Sequence, residues 1–111
     1  MSTREFSNVQ ESAVAQALNG KKTSGSGAGR FEKGDVIVPD ANLLVECKTV
    51  MSEKASVSIR KQWLEKVQEE AFENRLEYSA LAFNFGPGEQ SYYVIDERLM
   101  KFLTEMLHSE S

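Results

Sequence analysis

Apolar residues recur at four-residue spacing near the start of the chain, at Val9, Ala13 and Ala17, with Val14 and Leu18 widening the stripe. That period predicts a helix over about Asn8 to Leu18. Ser7 and Gln10 have the types and spacing of a capping box, and Asn19-Gly20 supplies a stop. The pattern then dissolves into Lys21-Lys22-Thr23-Ser24-Gly25-Ser26-Gly27-Ala28-Gly29-Arg30, small and hydroxyl residues flanked by cations, which predict a mobile loop. From Asp35 the period shortens to that of strands, Asp35 to Val38 and Leu43 to Lys48, joined by the turn-forming Pro39-Asp40-Ala41-Asn42. Thr49 to Ser56 is polar and predicts irregular chain. Ile59, Trp63, Val67 and Ala71, with Leu64 beside them, predict a long helix over about Val57 to Asn74, capped by Ser56 or Ser58, with Trp63 centred in its apolar stripe as a core residue. Tyr78 to Phe85 alternates as a third strand, ended by Gly86-Pro87-Gly88, and Ser91 to Ile95 forms a fourth. Asp96 caps a last helix carrying Leu99, Phe102, Leu103, Met106 and Leu107. The predicted architecture is α/β and a single domain over residues 1–111. It has a mixed sheet of about four strands, the first helix on one face, the long helix on the other, and the terminal helix closing the edge.

The 111 residues, 41% hydrophobic and 27% charged, are ordinary for one globular domain with a real core. No apolar run reaches the roughly 18 residues of a membrane span, and Met1-Ser2-Thr3-Arg4-Glu5 lacks the apolar region of a signal peptide. One cysteine, Cys47, cannot form an internal disulfide or a cysteine-based metal site, and it reads as a buried strand residue. These features predict a cytoplasmic location. The net charge of -4 opposes a nucleic-acid partner at first sight. The distribution changes that picture: six basic and six acidic residues lie up to Lys48, against seven and eleven beyond it. Three of the first six acids, Glu11, Asp35 and Glu46, are candidate metal ligands, and bound cations would offset their charge.

The candidate chemistry lies in the hairpin. Leu44, Glu46 and Lys48 share one face of their strand, so Glu46 and Lys48 stand about 6 to 7 Å apart. Antiparallel pairing would bring Asp35 to the same end. Two carboxylates and an ammonium then converge, and close carboxylates repel unless a cation or proton lies between them. Such oxygen clusters suit a hard divalent cation, which commonly completes its shell with water and substrate phosphate. The competing reading is a hairpin whose charged residues are merely solvated. Glu11 flanks the stripe of the first helix, either as an exposed residue or as an acid leaning toward the hairpin. Lys21, Lys22 and Arg30 could neutralise phosphates held by the loop's backbone and serines, the alternative being a plain linker. Lys54 is a further cation available to phosphate.

A helical Glu, a Ser/Gly-rich loop, then Asp35 and Glu46-Cys47-Lys48 in that order resemble the PD-(D/E)xK nuclease superfamily, and within it the archaeal-type Holliday-junction resolvases. The likeness runs from about Ser7 into the long helix; Gly34 stands where the superfamily's name has Pro. The resemblance implies a restriction-endonuclease-like sheet and a Mg²⁺-dependent endonuclease on branched DNA, Mn²⁺ being an alternative metal. It implies that Asp35, Glu46 and the Cys47 backbone carbonyl hold the metal and that Glu11 completes the site. Lys48 would orient the attacking water, Gln62 would hydrogen-bond the water or a phosphate, and Ser24 or Ser26 would be the functional loop serine. The two-fold symmetry of a four-way junction implies a homodimer, with the apolar surplus of the last helix, Leu99 to Leu107, and of the Tyr92-Val94 face as its seam. The rival readings are the same chemistry on flaps, ends or duplex, and a non-cutting DNA-binding or assembly protein on this fold.

Overall fold

Two helix ends and one hairpin fix the frame on which everything else hangs. In the computed structural model, which describes residues 3–23 and 35–110, α1 runs Thr3–Leu18 and stops at Asn19, whose φ of 56° is left-handed. The Asn19 N–H donates to the Gln16 carbonyl and the Gly20 N–H to the Ala15 carbonyl, a paired closure that satisfies the last helical carbonyls. Gly20 is required by close approach: a Cβ there would lie 2.7 Å from the Ile37 carbonyl oxygen. The chain then enters β1 (Lys21–Lys22), so these two lysines belong to a short strand rather than to the expected loop. Ser24, Ser26 and Arg30 lie outside the described residues.

β2 (Asp35–Val38) and β3 (Leu43–Cys47) form the predicted antiparallel hairpin. Their link is a 3-10 turn, Pro39–Ala41, closed by Asn42 at φ 52° with its N–H on the Pro39 carbonyl. After β3 the chain crosses through α2 (Lys61–Glu73) to β4 (Tyr78–Phe83), which pairs parallel with β3; β5 (Tyr92–Val94) and α3 (Glu97–Ser109) follow. Among the described residues the sheet is mixed and five-stranded, in the order β1-β2-β3-β4-β5. A helix lies on each face, so the α/β architecture holds, with one strand more than the sequence pattern showed.

The two faces divide by alternation. Val36, Val38, Val45, Ala80 and Ala82 pack beneath Val14 of α1, whereas Leu44 packs against Val67 and Ala71 of α2 on the other side. α2 ends in the same kind of closure as α1. The Arg75 N–H donates to the Phe72 carbonyl and the Leu76 N–H to the Ala71 carbonyl, and Leu76 packs into the Leu44 cluster.

Several expected boundaries move. α1 begins at Thr3 instead of after Ser7, because Phe6 adds a half-buried apolar position to its stripe. Ser7 is therefore inside the helix, and its hydroxyl meets that of Thr49 at 3.2 Å instead of capping. α2 begins at Lys61, its N-cap is Arg60 without a side-chain cap, and neither Ser56 nor Ser58 serves. The reason is period: Val57 and Ile59 are half-buried while Ser56, Ser58 and Arg60 are exposed, which is the alternation of extended chain. β4 stops at Phe83, two residues short of expectation, and β5 is trimmed at both ends. Asp96 does cap α3, its Oδ1 accepting the Leu99 N–H at 2.9 Å. No helix among the described residues is long and apolar enough to cross a membrane.

Candidate metal and phosphate site

The hairpin register places Asp35 directly opposite Glu46. Residues opposite one another on antiparallel strands project to the same face with Cβ atoms about 5 Å apart. Asp35 is 1% exposed and Glu46 6%, so two carboxylates share a buried position on the α2 side of the sheet. Carboxylates directly opposite each other destabilise a sheet, and burial enlarges the cost. Cations gather at Glu46: the Lys48 Nζ lies 3.7 Å from Oε2 and the Lys66 Nζ 3.9 Å from Oε1. Lys48 follows Glu46 by two residues and so shares its face, as the alternation requires. Lys66 comes from α2, one residue before the core residue Val67, and went unnoticed in the sequence because a helical lysine has no pattern of its own.

Trp63 corrects a second expectation. It is half-buried, not core, and its ring lies beneath the Lys48 ammonium, 4.3 Å from Nζ to ring centroid. The Arg60 guanidinium lies 6.0 Å from the same ring. α2 runs back along β3, so its C-terminal half meets Leu44 and its N-terminal turn meets the Glu46-Lys48 end.

Glu11 reaches the same end of the sheet from the opposite layer. It is 5% exposed on α1, and burial pushes its carboxyl above the usual range, with Lys22 pulling the other way. The Cys47 thiol is pushed up to about 12, first by burial and then by the carboxylates of Glu11, Asp35 and Glu46. All three acids therefore act on one strand end. They do not close on a single point: among the described residues no group of three or more His, Cys, Asp or Glu stands close enough together to hold a metal ion.

The immediate donors are thus the Asp35 and Glu46 carboxylates, with the Cys47 carbonyl next along β3. An oxygen-only set of one or two carboxylates suits Mg²⁺ or Mn²⁺, which keep water and phosphate in the remaining positions. Softer metals would want the Cys47 thiol, which belongs to the α1 face of the sheet, opposite the two carboxylates.

Behind the site, Gln10 of α1 fixes the chain just past Lys48. Its Nε2 donates to the Lys48 carbonyl at 2.8 Å, and its Oε1 accepts from the Thr49 hydroxyl at 2.7 Å. The 5%-exposed Gln10 is thus a brace for the Glu46-Cys47-Lys48 segment, not part of a cap.

The remaining predicted residues separate by face. Lys21 pairs with Ile37 and so shares the Asp35 face, exposed at the sheet edge. Lys22 pairs with Val36 on the α1 face, and its Nζ donates to the Ser12 hydroxyl at 3.1 Å. Gln62 is exposed on α2, one helical turn before Lys66. Lys54 is exposed, its backbone N–H bonded to the Phe85 carbonyl. The acidic surplus of the second half is partly explained: Glu65, Glu69 and Glu73 form an exposed ridge on α2. Compared with known proteins, the chain matches no family model, no curated protein and no solved structure.

Proposed function

We propose that the protein is a Mg²⁺-dependent endonuclease with a restriction-endonuclease-like fold, of the PD-(D/E)xK kind, acting on branched DNA such as a four-way junction. The observation that carries this reading is the buried Asp35–Glu46 register pair with Lys48 and Lys66 at its edge. A buried pair of like charges costs stability, and binding a divalent cation there would offset that cost. The strand order supports the reading, since the antiparallel hairpin ends in Asp35 and Glu46 and the parallel crossover through α2 brings Lys66 to the same sheet end.

A divalent cation bound there would polarise a phosphate oxygen and acidify a water. The protein's own groups do the rest. Asp35, Glu46 and the Cys47 carbonyl would hold the cation, and Glu11 would complete the site directly or through water. Lys48 orients the attacking water and stabilises charge growing on the phosphate, Gln62 offers a hydrogen bond at the mouth of the site, and Lys21 and Lys54 meet the DNA backbone.

The acting unit in this reading is a homodimer, because a four-way junction is two-fold symmetric and each subunit offers one site. α3 is the proposed seam. Phe102, Leu103, Met106 and Leu107 are exposed there, above a groove of about 820 Å³ between α3 and Tyr78, Ala80 and Tyr93. A second copy fits this face by hydrophobicity: an apolar stripe centred on Leu103 is self-complementary about a two-fold axis, and Lys101 and Glu105 lie on the opposite, solvated side of the helix.

The deciding experiment is incubation of a labelled four-way junction and a matched linear duplex with and without Mg²⁺, using the wild type and Asp35→Asn. Junction cutting that needs Mg²⁺ and disappears in Asp35→Asn is the expected result, with binding retained in the variant. Equal cutting of the duplex would move the substrate to DNA in general. Binding without cutting by the wild type would overturn the enzyme in favour of a non-cutting DNA-binding protein. A thermal shift supplies a check without DNA: Mg²⁺ should raise the wild-type Tm and leave Asp35→Asn unmoved.

A further inference from the structure

The Lys48 ammonium has two anchors of different kinds. One is the Glu46 carboxylate at 3.7 Å; the other is the Trp63 ring face at 4.3 Å. If Glu46 is a metal ligand, the first anchor weakens at the moment the cation arrives, since the cation and the ammonium then compete for one carboxylate. A lysine on a flexible four-carbon stem would be released toward solvent when its position matters most. The attraction of a ring face for a cation uses no carboxylate and survives that competition.

We propose that Trp63 is a positioning residue, which holds the Lys48 ammonium beside the Asp35–Glu46 pair while Glu46 is engaged by a divalent cation. The proposal rests on the nuclease reading for its purpose, but the contact itself is independent of cutting. The rest of α2 explains the placement. Val67 and Ala71 fasten the helix to Leu44, which leaves the turn carrying Trp63 over the end of β3. A tryptophan serving only as core would be covered by apolar neighbours; this one is only partly buried, with Lys48 on its ring and Arg60 nearby.

The test compares wild type with Trp63→Phe, Trp63→Leu and Lys48→Met. Protons on the Lys48 ε-carbon, assigned by their loss in Lys48→Met, should resonate upfield in the wild type because of the ring current and stay upfield on addition of Mg²⁺. The shift should shrink in Trp63→Phe and vanish in Trp63→Leu. In single-turnover cutting, Trp63→Leu should lose about tenfold in rate at unchanged junction affinity, the size of a partly desolvated cation–π contact. Trp63→Phe should recover most of that loss, and Trp63→Leu should cost nothing further in a Lys48→Met background. A Lys48 signal that moves to its solvent position when Mg²⁺ is added would overturn the proposal. So would a Trp63→Leu variant that cuts at the wild-type rate. A wild type that never cuts but keeps the shifted signal in Mg²⁺ would overturn the nuclease reading and leave the positioning role standing.

Discussion

Glu11 shows how much one residue's environment can depart from its sequence context. On helical spacing it is a flank residue, yet it is 5% exposed, and burial raises its carboxyl pKa from the ordinary 4.5. An acid whose folded pKa is raised binds its proton more tightly in the native state than in the unfolded one. Its contribution to stability is therefore fully present below the unfolded pKa and is lost as pH rises through the folded pKa. Glu11→Gln should accordingly raise the Tm at pH 7, and the gain should fade as the pH is lowered toward 4. Equal Tm gains at pH 4 and pH 7 would show that the gain does not come from the charge. The same substitution lowering junction cutting would place Glu11 in the chemistry, since a merely buried acid would be improved by losing its charge.

At the scale of elements, the site depends on where helices stop. The turn from α1 into β1 is closed by Asn19 and Gly20, with no room for a side chain at Gly20 against the backbone of Ile37. Gly20→Ala should cost about 1–3 kcal/mol by forcing the strand away, a change readable in urea unfolding as a lower midpoint with unchanged slope. α2 is the contrasting case. Its stop at Arg75, φ 60°, puts a side chain where glycine is preferred, so Arg75→Gly should be neutral or stabilising by up to about 1 kcal/mol. Asn19→Gly, at the left-handed position of the α1 exit, should behave like Arg75→Gly, so that a loss at Gly20→Ala alone marks close approach as the constraint on Gly20.

For the whole molecule the open question is the exposed side of α3. Only Leu99 of that helix is buried, and its main ring contact is Phe102 stacked on Tyr78 at 5.8 Å between centroids. Tyr93 of β5 shares the groove with Phe102 and Leu103; Tyr92, on the other face of β5, meets Phe83 and Phe85 instead. Five large apolar side chains, Met100, Phe102, Leu103, Met106 and Leu107, remain exposed. If a second copy covers them, the mass at micromolar concentration should be twice 12.4 kDa. Leu103→Lys, at the centre of the exposed stripe, should shift the equilibrium toward monomer, whereas Lys101→Glu on the opposite side of the helix should leave it unchanged. A mass near 12.4 kDa accompanied by full junction cutting would sink the dimer.

What the sequence determined by itself was local. The hairpin, its turn, the Asp96 cap, the α1 stop and the alternation that puts Glu46 and Lys48 on one face all follow from residues within a few positions of each other, whose periods and dihedral preferences are set by the nearby chain. The tertiary structure decided what alternation and helical spacing cannot encode. It set the register that puts Asp35 opposite Glu46 rather than one position away. It also set the strand role of Lys21 and Lys22, which depends on an edge supplied by β2. Lys66 and Trp63 reached the site only because Val67 and Ala71 lock α2 onto Leu44, and Gln10 became a brace because α1 crosses the strand end. Each of these joins residues far apart in the chain, where a contact is fixed by how apolar faces pack and not by the sequence around either partner.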